Sequence, residues 1–309
     1  MQNIHGISFE SGADQNSGTV SPTIVEPRRP IVLLSLPNTG TDWLVGLWLR
    51  QNPTLRYYRE FFNPICNPKY EDELNRSFGC EMVDNYAMIA KPLRPYDPVF
   101  QRTWAKENYN FTKENYSAFK LDWFLGNFDC FVLYRRAELT LPGSRLPVKA
   151  WYDAMYCSLL RNRWTLEPDI RVLVDFAAAE ADTIAKRLVA AFVIHYYKLL
   201  RDAHRRNVPV LNYDHLMQLS ATELALLLSG FPAVEDAEKL ACDVCQERRP
   251  CSKDFGILRA DDFFARLTKL ARKCGGDAVA LLAPWQESET TFEVIAEMEQ
   301  SQAPAATLV

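Results

Sequence analysis

The stretch Ile31 to Asn52, IVLLSLPNTGTDWLVGLWLRQN, restricts the fold of this chain more than any other. It opens with Ile31-Val32-Leu33-Leu34-Ser35, a short apolar run that reads as a buried strand. Leu36 to Asp42 is a turn of small and polar residues. Trp43, Leu44, Leu47 and Trp48 then recur at helical spacing. A strand, a tight polar turn and a helix suit an anion, because the first helical turn carries N–H groups without partners at the positive end of the dipole. Gly40 is expected to let backbone approach the anion, with Thr39 and Thr41 as hydroxyl donors. The same residues also fit a plain strand-to-helix turn in which Asp42 starts the helix.

The rest of the chain extends the alternation. Thr54–Phe62 is β-prone and aromatic, and Phe128–Tyr134 is a continuous apolar run that ends in Arg135-Arg136. Residues 147–162 are helical by period, and 177–206 form the longest helix candidate. Residues 208–213 read as a strand, with helix starts at Asp214 and Ser220. Helical stretches follow at 235–248 and 261–282, the second broken at Gly275-Gly276. This pattern predicts an α/β fold, a central parallel sheet with helices on both faces. Ligands of such sheets bind beyond the carboxyl ends of the strands. The 36–42 turn, Glu60 and Arg135-Arg136 each follow a predicted strand, which places them along one edge.

Around this unit, residues 1–28 read as a flexible arm and 301–309 as a flexible tail, leaving 29–300 as a single domain. Residues 63–118 are Pro- and Asn-rich and read as an irregular insertion that serves an acceptor site. With 309 residues, 48% of them hydrophobic, the chain can bury a large core. A net charge of −4 supplies no general basic field for nucleic acid, so an anion site must be local. No apolar run reaches the roughly 18 residues of a membrane span. The first residues lack a basic start followed by an apolar stretch, and eight cysteines are few for this length. A cytoplasmic location is therefore expected. Cys242, Cys245, Cys251 and Cys274 raise a four-thiolate zinc site, which the helical pattern around Cys242-x-x-Cys245 disfavours; no metal is expected.

The turn Pro37-Asn38-Thr39-Gly40-Thr41-Asp42-Trp43-Leu44 has no Walker A pattern, since no lysine follows Gly40. It resembles the 5′-phosphosulfate loop of the sulfotransferases, P-[KR]-[ST]-G-[ST]-[ST]-x-[LF], with Asn38 in place of the usual cation and Asp42 in place of a hydroxyl residue. Tyr134-Arg135-Arg136 with Ser144 resembles that family's 3′-phosphate motif. Arg135 holds the position after the tyrosine, whereas Arg136 restores the family's spacing to the serine. Arg59-Glu60-Phe61-Phe62-Asn63-Pro64 resembles the segment that carries the family's general base, and Val210 to Leu216 its strand-to-helix segment with an acidic helix cap.

The resemblance implies a P-loop NTPase-like sulfotransferase architecture. It implies transfer of a sulfuryl group from 3′-phosphoadenosine 5′-phosphosulfate to a hydroxyl-bearing small molecule or glycan, leaving 3′-phosphoadenosine 5′-phosphate. Glu60 is the implied base, residues 37–42 the phosphosulfate loop, Trp43 a neighbour of the adenine, and Arg135 with Ser144 the 3′-phosphate clamp. Lys91, Lys120 and Arg28 are the candidates to replace the cation missing at Asn38. That absence also keeps open a non-catalytic relative that binds the nucleotide. A kinase acting on a nucleoside triphosphate is a third reading, weakened by the missing Walker lysine.

Overall fold

A computed structural model describes residues 29–37, 39–60, 108–115, 118–141, 146–230, 234, 236–247 and 262–282, side chains at 138, 139 and 146–149 excepted. Five strands form one sheet: β1 (Ile31–Leu34), β2 (Tyr57–Arg59), β3 (Phe111–Glu114), β4 (Asp129–Tyr134) and β5 (Val210–Asn212), in the order β2-β3-β1-β4-β5. Every pairing is parallel, with Ile31 opposite Phe111 on one side and Asp129 on the other.

The described helices are α1 (Thr41–Gln51), α2 (Leu121–Asn127), α3 (Ala137–Thr140), α4 (Leu146–Arg161), α5 (Pro168–Glu180), α6 (Ile184–Arg205), α7 (Tyr213–Leu216), α8 (Ala221–Ser229), α9 (Ala237–Gln246) and α10 (Phe263–Gly275). A 3₁₀ stretch, Gly276–Leu282, follows α10. Alternation along the strands divides the core. Val32, Leu34, Cys130, Val132 and Tyr134 pack with apolar residues of α2, α4, α5, α6 and α10. Ile31, Leu33, Phe131 and Leu133 pack with those of α1, α8 and α9. Both faces of the sheet are therefore covered, as the near-continuous apolar runs of β1 and β4 require.

Local chemistry sets the element ends. α1 buries Leu44, Val45, Leu47 and Trp48, and carries Asp42 in its first turn and Arg50 in its last, the signs that the helix dipole favours. α8 begins at a capping box of Ser220 and Glu223. The helix expected over 177–206 is two helices. The Thr183 side chain accepts from the Lys186 N–H and starts α6 anew, while Pro168 sits in the first turn of α5. The insertion expected over 63–118 includes a strand: β3 lies between β2 and β1. Residues 61–107, and with them Lys91, lie outside the described residues, as do 1–28, with Arg28, and 283–309.

From β1 the chain crosses to β2 at the sheet edge, returns to β3, and then passes to β4 on the other side of β1. The carboxyl end of β1 thus lies where the winding changes direction, the usual place for a ligand crevice in a parallel sheet. Among the described residues no helix is long and apolar enough to cross a membrane.

Candidate functional site

The turn after β1 is held from beneath. The Leu36 N–H donates to the Tyr196 hydroxyl at 3.3 Å, and that hydroxyl donates to the Leu133 carbonyl at 3.0 Å. The Tyr152 hydroxyl donates to the Pro37 carbonyl at 2.9 Å. Thr39 is buried and donates to the Leu36 carbonyl at 2.9 Å, so its hydroxyl braces the turn. Thr41 is buried too. Asn38 lies outside the described residues. Gly40 is the N-cap of α1, with φ of 90° and no side-chain cap. The helix ladder opens with Leu44 N–H to the Gly40 carbonyl at 3.1 Å, so the N–H groups of residues 41–43 precede it at the positive end of the dipole. Two constraints require glycine at 40. Its backbone is left-handed, and a Cβ there would lie 2.5 Å from Cε2 of Tyr213. The close approach is thus made by a tyrosine ring.

On one side of this turn stands a buried cation. Lys113, at the third position of β3, has a side chain 1% exposed. Its Nζ lies 2.6 Å from Asp42 Oδ1, in the first turn of α1, and 2.8 Å from Glu60 Oε1. The Asn115 amide donates to the same Glu60 oxygen at 2.8 Å and accepts from the Ser35 hydroxyl at 2.9 Å. Glu60 follows β2, is buried, and has φ of 44°, a left-handed backbone that a glutamate adopts only when its surroundings hold it there. Burying an ammonium without partners is costly; here two carboxylates flank it. Arg59 Nη2 lies 3.7 Å from the other Asp42 oxygen.

On the other side of β1, Arg135 and Asp214 leave β4 and β5. The Arg135 guanidinium carbon lies 4.8 Å from the centroid of the Tyr213 ring, with Nε 3.9 Å from Asp214 Oδ1. Trp43 meets the same ring edge-on at 5.7 Å. The Tyr213 ring therefore contacts Gly40, Trp43 and Arg135, and links the turn to the end of β4. Arg136 is buried, and its backbone N–H donates to Asp214 Oδ2 at 3.0 Å. Burial pushes the Asp214 carboxyl above its usual range, although the Arg136 N–H and the two arginine charges pull it back. Asp214 does not cap α7, which begins at Tyr213: the Asn212 side chain accepts from the Asp214 N–H at 3.0 Å, and Asp214 reaches across to β4. Ser144 lies outside the described residues.

The edge thus gathers Pro37, Thr39, Gly40, Thr41, Asp42, Trp43, Glu60 and Arg135. Lys113 and Asn115 were missed in the sequence because FTKEN holds a lysine and a glutamate where a buried strand is expected to be apolar. The signal available was their position shortly before the apolar strand at 129–134. Lys120, a candidate replacement cation, is partly buried and held down to about 8 by burial and by the charge of Lys198 on α6. Among the described residues no three His, Cys, Asp or Glu side chains gather to hold a metal ion; Cys242, Cys245 and Cys274 are free thiols, and Cys251 lies outside the described residues. Compared with models of protein families, with curated proteins and with solved structures, the chain finds no match.

Proposed function

We propose that this chain is a sulfotransferase of the P-loop-like α/β type, moving a sulfuryl group from 3′-phosphoadenosine 5′-phosphosulfate to a hydroxyl acceptor. One observation carries the reading. Buried Lys113 bridges the first turn of α1 to Glu60, while Arg135 stands on the opposite side of β1. A nucleotide with anions at both ends of its ribose needs two such cationic points flanking a helix N-terminus.

In this reading Lys113 supplies the positive charge that the turn lacks at Asn38. Glu60 takes the proton of the acceptor hydroxyl as its oxygen bonds to sulfur. The bond from sulfur to the 5′-phosphate oxygen breaks, and the electron pair stays on that oxygen. Lys113 and the first-turn N–H groups of α1 face the charge that develops there, the largest effect such a site offers. Arg135 holds the 3′-phosphate, and Trp43 with Tyr213 lies toward the base. The acceptor is a hydroxyl-bearing small molecule or glycan.

A thermal-shift comparison tests the donor. 3′-Phosphoadenosine 5′-phosphate is expected to raise the melting temperature more than AMP at equal concentration, by mass action. Equal shifts would mean that the 3′-phosphate is not read and would remove Arg135 from its role. Asp42, a carboxylate in the anion-binding turn, favours a second reading as a non-catalytic nucleotide binder. Turnover of labelled donor in an acceptor screen separates the two.

A further inference from the structure

We propose that Asp42 is the resident counter-ion of Lys113, and that the site admits only an anion able to take Lys113 from it. The inference rests on the sulfotransferase reading and concerns the charge that the donor must present.

The three charged groups differ in their freedom. Lys113 and Glu60 have side chains 1% and 6% exposed, fixed at the ends of neighbouring strands. Asp42 is 65% exposed, on the first turn of a helix, and can rotate without exposing apolar surface. Its Oδ1 lies 2.6 Å from Lys113 in the region where an anion on the α1 N-terminus would sit. An arriving anion and Asp42 therefore compete for one ammonium and repel each other. The displaced carboxylate has a partner at hand, because its Oδ2 already lies 3.7 Å from Arg59, itself exposed.

The exchange selects by charge. A monoanion offers Lys113 no more than Asp42 does. A phosphate or phosphosulfate group presents several oxygens to Lys113 and to the backbone N–H groups together. Asp42 thus keeps the buried ammonium neutralised between turnovers and rejects weak anions, at the expense of donor affinity.

Isothermal titrations of wild type and Asp42→Asn decide it, with two probes: 3′-phosphoadenosine 5′-phosphate, and adenosine 3′-phosphate, which lacks the 5′ anion. Asp42→Asn is expected to tighten the bisphosphate about tenfold, as loss of a competing charge-assisted contact implies, and to leave adenosine 3′-phosphate unchanged. Equal bisphosphate affinity in both proteins overturns the role of Asp42 while the donor reading stands. An equal gain for both probes also overturns it, since the effect would not belong to the 5′ anion. Bisphosphate binding to neither protein overturns the donor reading and this inference together.

Discussion

Among the described residues, Lys113 and Arg201 are buried cations held by carboxylates, and they are built differently. Arg201 on α6, with a side chain 2% exposed, is bonded to Glu167, Asp169 and Asp202. Lys198 joins Glu167 at 2.8 Å and also pairs with Asp202, and the Tyr197 hydroxyl donates to Asp169 at 2.6 Å. These groups lie on α6 or at the start of α5, and none of them has a left-handed backbone. Among the described residues Lys113 is held by two carboxylates, one on a left-handed residue after a strand and one largely in water. The Arg201 cluster locks the start of α5 against α6. The Lys113 cluster lies on the carboxyl edge of the sheet, with a partner that is able to leave. Buried charge pairs are weak evidence for stability in general, so position and partner freedom, more than the ion pairs themselves, separate the two.

The largest expected effect breaks the comparison outright. Under the proposed function, Lys113→Met should lower sulfuryl transfer by roughly 10²–10³-fold, the usual loss when a preorganised group facing developing charge is removed. Arg201→Met should leave transfer per folded molecule unchanged and destabilise the fold by about 3 kcal/mol, the low end for breaking a buried pair because its partners are partly exposed. Urea melts beside single-turnover assays read both. If Arg201→Met lost transfer in folded protein, or Lys113→Met kept it, the division into a structural and a reactive cluster would be gone.

A smaller effect sharpens the account of the turn. Gly40→Ala meets both a left-handed backbone and the Tyr213 ring. Strain of this kind is worth about 1–3 kcal/mol. Global stability should fall by about that much, and under the proposed function nucleotide affinity should fall with it, because the ring that also packs on Arg135 and Trp43 would have to move. Unchanged affinity with lowered stability would show that Tyr213 and Arg135 do not shape the nucleotide site.

The sequence carried the apolar strands, the turn and the longer helices well, because each rests on local patterns. Val32, Leu34, Val132 and Leu133 are apolar runs, and Ser220 with Glu223 is a capping box written in four residues. It carried Glu60 and Arg135 only through motif position. β3 was illegible because its alternate residues Thr112 and Glu114, and Lys113 between them, are polar yet buried. Thr112 donates to the Tyr58 carbonyl at 2.7 Å, and Lys113 finds its carboxylates on two other elements. Those partners are distant in sequence, so no periodicity announces them. The second constraint on Gly40 was illegible for the same reason: Tyr213 reaches it only in the folded chain.

The smallest expected effect lies in the acid limb of stability and bears on the Arg201 cluster alone. Burial would raise the Glu167 and Asp169 carboxyls, but hydrogen bonds and charge from Lys198 and Arg201, with the Tyr197 hydroxyl on Asp169, outweigh it and hold both below their usual range. A carboxylate depressed in the folded state binds fewer protons there than in the unfolded chain. Its contribution is therefore complete above the ordinary carboxylate range and is lost as pH falls through the depressed values. Glu167 is 46% exposed, so solvent screening limits the pair to about 1 kcal/mol. Arg201→Met removes the cation that supports both. The stability gap between wild type and Arg201→Met should then be widest at neutral pH and narrow by about that amount as pH falls through the depressed values of both carboxyls. Urea midpoints of both proteins at neutral and acid pH measure it. A gap constant across the range would mean that Arg201 stabilises by packing its long side chain between the helices, and the contrast with Lys113 would rest on position alone.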